Sequence, residues 1–332
     1  MTSTVNTSGD LPLELSKQLY KEIYLIRRCE ELIVRLYPDN EMKTPMHMSM
    51  GQEATPLAVC NALSRNCDIT ATYRSHAAFI AQTLDHQRFF GELHGRVNGT
   101  ADGKSGSMHL SAPELGMLGS TGIVSAGISI AVGAAYANKV HGNGRIAVSF
   151  FGDGATDEGV FWESLNVACL MKLPMIFVCE DNDIAVHTRK ADRRGYKSLP
   201  DVARQFECIV REDESNDVES IYALTQEAVS VMRQVEKPVL LNVRCYRYLE
   251  PVGTVEDSDA IYRIAEEDAL WKSLDCVAMQ RNRLLEKCVA DREISAMERS
   301  VDDALEISVK TALSAQPPGE NLLFKGVFFN AD

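Results

Sequence analysis

Two near-continuous apolar runs, residues 146–151 and 175–179, are the clearest feature of the chain's hydropathy pattern. They are rich in strand formers and lack polar alternation, as strands buried on both faces of a parallel sheet do. Residues 157–173 between them are helix-like. Asp157 and Glu158 fall in the predicted first turn and Lys172 in the last, an order that suits the helix dipole, and Pro174 ends the segment. A tight Gly152-Asp153-Gly154 turn joins the first run to the helix. The pattern predicts a strand–helix–strand unit. It implies an α/β fold with a mostly parallel central sheet and helices on both faces.

The same periodicities place further elements. Residues 15–37 read as a helix with Leu15, Leu19, Ile23, Ile26, Ile33 and Leu36 on one face, closed by Pro38. Residues 125–137 read as a helix of small residues, 199–206 as a short helix, and 217–235 as a helix with Val218, Ile221, Tyr222, Thr225 and Val229 on one face. Pro238 leads a strand over 239–245. From Cys276 onward the chain is helical and charged, with Ile294, Met297, Val301, Leu305, Val309 and Leu313 at helical spacing. The expected organisation is a flexible arm (1–14), an α/β domain (15–275) and a C-terminal helical extension (276–332) that packs on the domain or on partner subunits. A chain of 332 residues is long enough for one large, well-buried core.

Composition narrows the function. A net charge of −13 argues against nucleic acid and anionic membrane as partners. The longest apolar stretch, residues 123–137, contains Gly and Ser and is too short to span a bilayer. Residues 1–17 show no secretory signal and contain no Arg, which disfavours a transit peptide, so a cytoplasmic location is expected. The nine cysteines are scattered without a C-x-x-C pair and read as reduced core residues. No G-x-G-x-x-G follows a strand with an acidic residue beyond it, which removes the nicotinamide-binding reading.

The chemistry concentrates at the glycine turn. Gly152 and Gly154 let backbone approach an anion, and the helix behind them is expected to offer free N–H groups. Asp153 supplies a hard oxygen at the end of the first strand, and Asn182, 29 positions later, supplies another at the end of the second. Ligands of open parallel sheets bind at these carboxyl ends. A divalent ion such as magnesium takes a carboxylate, an amide oxygen, a backbone carbonyl, water and ligand phosphates. The expectation is a combined phosphate and metal site.

A Gly-Asp-Gly turn followed by Asn at this spacing resembles the thiamine-diphosphate fingerprint. Several segments extend the likeness: residues 19–37, the His47 to Ala54 segment ending in Gly-Gln-Glu-Ala, Tyr73-Arg74-Ser75-His76, the glycine-rich turn 103–109, and Tyr246-Arg247-Tyr248. Over roughly residues 15–325 the chain resembles the alpha subunit of the decarboxylating component of 2-oxo acid dehydrogenase complexes, a family that includes pyruvate, branched-chain and acetoin dehydrogenases. The resemblance implies thiamine diphosphate with Mg2+, held by the side chains of Asp153 and Asn182 and the backbone carbonyl of Ile184. It implies that Tyr73 and Arg74 grip the diphosphate, a role that suits a planar guanidinium and a hydroxyl donor. It places Gly152, Gly154 and Ala155 in the cofactor turn. Gly122 and Val124 border the cofactor through backbone, and Val186 is an apolar wedge beneath it. His76 and His109 are its candidate catalytic groups.

The same resemblance implies partners. The activating glutamate comes from a beta subunit, in an alpha2-beta2 heterotetramer, and the substrate is a small 2-oxo acid whose acyl group passes to a lipoyl-bearing acyltransferase or another acceptor. One departure stands out. The family carries a His in the loop after Tyr248, but no His occurs between Tyr248 and Tyr262, and Pro251 takes the aligned position. His187 stands where the family has a small residue and is a third catalytic candidate, as a compensation. The basic stretch 189–197 reads as an exposed loop, with gating of the site as the lesser reading. Two rival readings are a thiamine-dependent carboligase or split-transketolase-like subunit, to which residues 158–164 are similar, and a non-catalytic alpha-like assembly subunit, which the missing loop His favours.

Overall fold

The structure is a computed structural model and describes residues 11–327 except 43 and 259. Residues 1–10 of the expected arm, and the last five residues of the expected extension, lie outside the described residues. Its centre is a six-stranded sheet in which every pairing is parallel. The strands are β1 (Cys67–Thr72), β2 (Met117–Thr121), β3 (Ile146–Gly152), β4 (Met175–Asp181), β7 (Ile209–Asp213) and β8 (Val239–Arg244); a two-stranded hairpin, β5 (Ile184–Ala185) and β6 (Thr188–Arg189), stands apart from them. The sheet order is β2-β1-β3-β4-β8-β7. The chain therefore runs outward from β1 to β2 and then returns to place β3 on the other side of β1. That reversal opens a crevice at the carboxyl ends of β1 and β3.

The expected unit is present: β3, a helix and β4, paired in parallel from Ala147 opposite Met175 to Gly152 opposite Glu180. Side chains alternate across the sheet with the period of two that a strand imposes. Met175, Phe177 and Cys179 of β4 join the core beneath α5 (Ala126–His141), α6 (Gly159–Leu170) and α7 (Leu199–Ala203). Ile176 and Val178 face the larger core on the other side. That core is roofed by α1 (Leu13–Leu36), α2 (Ala54–Ala62), α3 (His76–Thr83), α4 (His86–Leu93) and α8 (Val218–Val235). Phe151, Phe161 and Phe177 are fully buried, each contributing roughly 2–3 kcal/mol of apolar burial.

The helix after the glycine turn starts later than its charges suggest. Asp153–Asp157 form a 3-10 turn, and α6 runs only over Gly159–Leu170, so Asp157 and Glu158 precede it and Lys172 follows it. The first helix begins at Leu13, after Pro12, and ends at Leu36. Asp217 caps α8 by accepting from the backbone of Glu219 and Ser220, which fixes that helix's start one residue after the expected one. The remaining helices are α9 (Ala265–Ser273), α10 (Cys276–Glu286) and α11 (Asp291–Ser314); α10 and α11 pack on α1, and α11 also packs on α4.

Candidate cofactor site

The register of β1, β3 and β4 brings Thr72, Gly152 and Glu180 to one end of the sheet, where a cavity of about 280 Å³ opens. Its lining contains Tyr73 and Arg74 from the end of β1, and Gly152, Asp153, Gly154 and Ala155 from the turn after β3. Asn182, Ile184 and Val186 line it from the segment after β4, and Val124 from the start of α5. These are ten of the eleven residues expected at the cofactor; Gly122 lies outside the lining, exposed and near His109. A side chain at Gly152 would meet no atom within 4 Å, whereas one at Gly154 would come within 2.8 Å of the Ala185 methyl group. Gly154 is therefore required for close packing of the turn against the hairpin, and Gly152 leaves backbone open to the cavity.

Two cations face this space, Arg74 partly buried and Arg247 buried. Arg74 donates to the carbonyl of Met48 at 2.6 Å and of Pro251 at 3.1 Å, and no carboxylate among the described residues is bonded to it. Arg247 also lines the cavity, and its Nε has no partner among the described residues; Asp257 lies 3.6 Å from its terminal nitrogen. Burial, with the nearby Arg74 and Arg263, pushes its guanidinium down to about 10. A buried donor without an acceptor is costly, and an anionic group would relieve it. The opposite wall is acidic. Asp153 is pushed up by burial and by Asp181, against the pull of Arg193 and Arg194. Glu180 is raised to about 8 by burial, which outweighs Arg74 and Gln52.

The Asn182 segment is held by its own hydrogen bonds. Asn182 accepts from the Ile184 N–H at 3.1 Å and donates to Gln52 at 3.0 Å. Asp181 is bound by Lys190 and Arg244, both at 2.8 Å. The hairpin that follows turns at Val186-His187, and Val186 has a φ of +56°. A β-branched residue there is strained, and the strain presents Val186 at the cavity.

The three candidate histidines lie elsewhere. His76 is fully buried, with Nδ1 2.7 Å from Glu30 Oε1 and Nε2 2.7 Å from Ser107 Oγ. His109 is exposed. His187 is exposed and stacks on Tyr262 with ring centroids 4.7 Å apart. None of the three lines the cavity. The basic stretch departs from the exposed loop expected of it: Arg193 and Arg194 fold inward onto Asp153 and Asp157. The structure adds Gln52, Asp157, Glu158, Glu180, Arg247 and Pro251 to the lining. Glu180 stands directly before Asp181-Asn182 and Arg247 between two tyrosines, signals legible only once the strand ends are known to converge.

The donor set fits the implied groups. Asp153, Asn182 and Ile184, which offer a carboxylate, an amide and a backbone carbonyl, share one cavity with two guanidiniums: Arg74 is bonded only to backbone carbonyls among the described residues, and Arg247 is paired with Asp257 at 3.6 Å and has an unpartnered Nε. This is the chemistry of a hard cation beside a phosphate. Among known proteins, the sequence family described as "Dehydrogenase E1 component" matches residues 21–320. The chain belongs to this family. Pyruvate dehydrogenase E1 component subunit alpha of Rickettsia typhi is 32% identical over 311 residues, covering 93% of this chain and 94% of that one. The alpha subunit of acetoin:2,6-dichlorophenolindophenol oxidoreductase from Cupriavidus necator is 30% identical over 97% of each chain. A chloroplastic pyruvate dehydrogenase E1 alpha-3 subunit of Arabidopsis thaliana is 31% identical, covering 98% of this chain and 77% of its own. The E1 family is the one the sequence motifs resembled, and its membership extends over the sheet, the cavity and α11. Among the described residues no helix is long and apolar enough to cross a membrane.

Proposed function

We propose that this chain is the alpha subunit of a thiamine-diphosphate-dependent enzyme that decarboxylates a 2-oxo acid. The observation that carries the reading is the meeting, in one cavity of an E1-family chain, of Tyr73 and Arg74 with Asp153, Asn182 and Ile184. Thiamine diphosphate, when bound, supplies the electron sink for loss of carbon dioxide. The chain's own residues do the rest. Arg74 and Tyr73 bind the diphosphate, and Arg247 offers its unpartnered Nε to the same anion. Asp153 and Asn182 hold Mg2+ with their side chains, and Ile184 holds it with its carbonyl. Gly152 and Gly154, with Ala155, keep backbone close to the phosphates, and Gly122 and Val124 border the cofactor. Val186 supports the apolar side of the cofactor from its strained turn.

The acid that activates the cofactor comes from a beta subunit, in an alpha2-beta2 assembly; a lipoyl-bearing acyltransferase is the acyl acceptor in this reading, and the location is cytoplasmic. Residues 15–275 form the cofactor-binding domain and 276–332 its helical extension. His109 and His187 serve the substrate side from outside the cavity, and His76 supports it from the buried Glu30–Ser107 network. The relatives named are dehydrogenase and acetoin oxidoreductase subunits, which sets the transketolase-like reading behind this one. Pro251, which cannot take or give a proton, favours a second reading, a non-catalytic alpha-like subunit.

Calorimetric titration of the full chain, with its co-purified partner, separates these outcomes. Magnesium-dependent binding of thiamine diphosphate that Asp153→Ala abolishes supports the site. Unchanged affinity in that variant removes it, and binding without turnover of any 2-oxo acid selects the second reading.

A further inference from the structure

Asp153 already has a cation. Its carboxylate is almost fully buried, and Oδ2 is gripped by Nη2 of Arg193, whose other amino group grips Asp157. The neighbouring Arg194 is attached differently. It donates to the backbone carbonyl of Asp153 at 2.8 Å and to Thr156 Oγ1 at 2.9 Å, lies over the Tyr196 ring, and stands 3.8 Å from the carboxylate. Arg194 thus anchors the stretch 190–197 to the turn's backbone. Arg193 is the one of the two hydrogen-bonded to the carboxylate that the reading above gives to the metal; Arg194 stands beyond hydrogen-bond distance of it.

We propose that Arg193 is a displaceable counter-ion of Asp153, so that a divalent cation and the 190–197 stretch compete for one carboxylate. The inference rests on the assignment of Asp153 to the metal. A dication on Asp153 would stand within a few ångströms of the guanidinium, and like charges that close in a partly buried site repel strongly. The exchange leaves no charge stranded. The Asp157 side chain is 29% exposed and remains as a partner for Arg193, whose own side chain is 12% exposed. The geometry makes the basic stretch a strap across the metal position. Metal entry releases Arg193 from Asp153, while Arg194 and Tyr196 keep the stretch nearby.

Two readouts independent of turnover test this on the full chain, with thiamine diphosphate at fixed concentration. Free Mn2+ is followed by electron paramagnetic resonance in wild type, Arg193→Met, Arg193→Lys and Asp153→Asn. Arg193→Met removes the charge at similar length and is expected to bind Mn2+ about tenfold more tightly; Arg193→Lys, which keeps the charge, is expected to stay near wild type. Hydrogen exchange of the peptide spanning 188–198 is expected to rise on Mn2+ addition in wild type and to be already fast in Arg193→Met. Equal or weaker Mn2+ binding by Arg193→Met overturns the proposal, as does metal-independent exchange in wild type. Mn2+ binding that survives Asp153→Asn, or fails in every variant, removes the metal assignment itself, and the competition with it.

Discussion

The guanidinium of Arg74, at the end of the first strand, donates to the backbone carbonyl of Pro251, 177 positions later, at 3.1 Å. The loop that lacks the family's His therefore still closes on the site, through a main-chain atom. Gly253 reinforces it by donating to the carbonyl of Met46 at 2.8 Å. Pro251→Ala keeps the carbonyl and is expected to change thiamine diphosphate affinity by no more than about twofold. Arg74→Met removes a charge-assisted contact of about 2–3 kcal/mol and is expected to weaken binding by roughly 30- to 150-fold. Calorimetry on the two variants checks the contrast, and equal losses would show that the loop side chain matters instead.

Val186 stores strain that glycine would release. Its φ of +56° is the left-handed region, and its side chain is 58% exposed, so little burial is lost on truncation. Left-handed geometry costs an L-residue about 1–2 kcal/mol, and the added freedom of glycine when unfolded returns part of that. Val186→Gly is expected to raise unfolding stability by about 0.5–1 kcal/mol while lowering cofactor affinity. Urea unfolding and cofactor titration on one preparation would reveal both changes.

His47 gives the protein an acid-side liability. Its ring is buried beside Tyr73, with centroids 4.6 Å apart, and burial, then Arg74 and His76, lower its pKa to about 4. The unfolded chain takes up this proton near pH 6.5 and the folded chain does not. Stability is unaffected by His47 above that value, falls as pH drops toward 4, and levels below it, for a total of about 3 kcal/mol. His47→Gln is expected to flatten the decline between pH 6.5 and 4, read from denaturant midpoints at several pH values. A slope unchanged from wild type would place the titrating group elsewhere.

Asp257 ties down the segment after Tyr248. Its carboxylate accepts from Arg263 at 2.8 and 3.0 Å and from the Tyr262 hydroxyl, and lies 3.6 Å from Arg247. Arg247 and Arg263 have side chains no more than 3% exposed, so Asp257→Asn leaves two buried cations without their counter-ion. The expected cost is about 3–5 kcal/mol. Calorimetric melting should show the loss, and limited proteolysis should cut first within residues 249–263. A small loss with no new cleavage would mean that Arg263's bonds to the carbonyls of Arg247 and Leu249 suffice.

The local pattern was sufficient wherever a segment's environment is set by its own residues. Strands β3 and β4 carry continuous apolar side chains because both faces are covered, and that signal is visible without knowing by what. Strand β1 was not legible, because Asp68 and Thr70 interrupt it. Those polar groups are satisfied only by distant partners: Asp68 by Arg145 and Asn138, and Thr70 by the carbonyl of Gly127. The helix after the glycine turn starts beyond Asp157 and Glu158, which suit a first helical turn by charge, and Arg193 and Arg194 engage Asp157 from outside it.

The site divides along the same line. Asp153 and Asn182 stand at the two strand ends of one strand–helix–strand unit, so their spacing in sequence already implied their meeting at one sheet end; Ile184, on the hairpin that follows, entered through resemblance. Tyr73 and Arg74 entered through resemblance, and the crossover that sets β1 beside β3 brought them to the same cavity. The burial of His76 depends on Glu30 and Ser107, which lie 46 and 31 positions away, and no local pattern contains that information. Sequence by itself determined the α/β class and the glycine turn, because those follow from short-range periodicity and spacing, and its motifs carried the resemblance to the family. Tertiary structure decided which charges face the cavity, which histidines do not, and that Arg193 holds the Asp153 carboxylate, because electrostatic partnership depends on distances that chain folding alone creates.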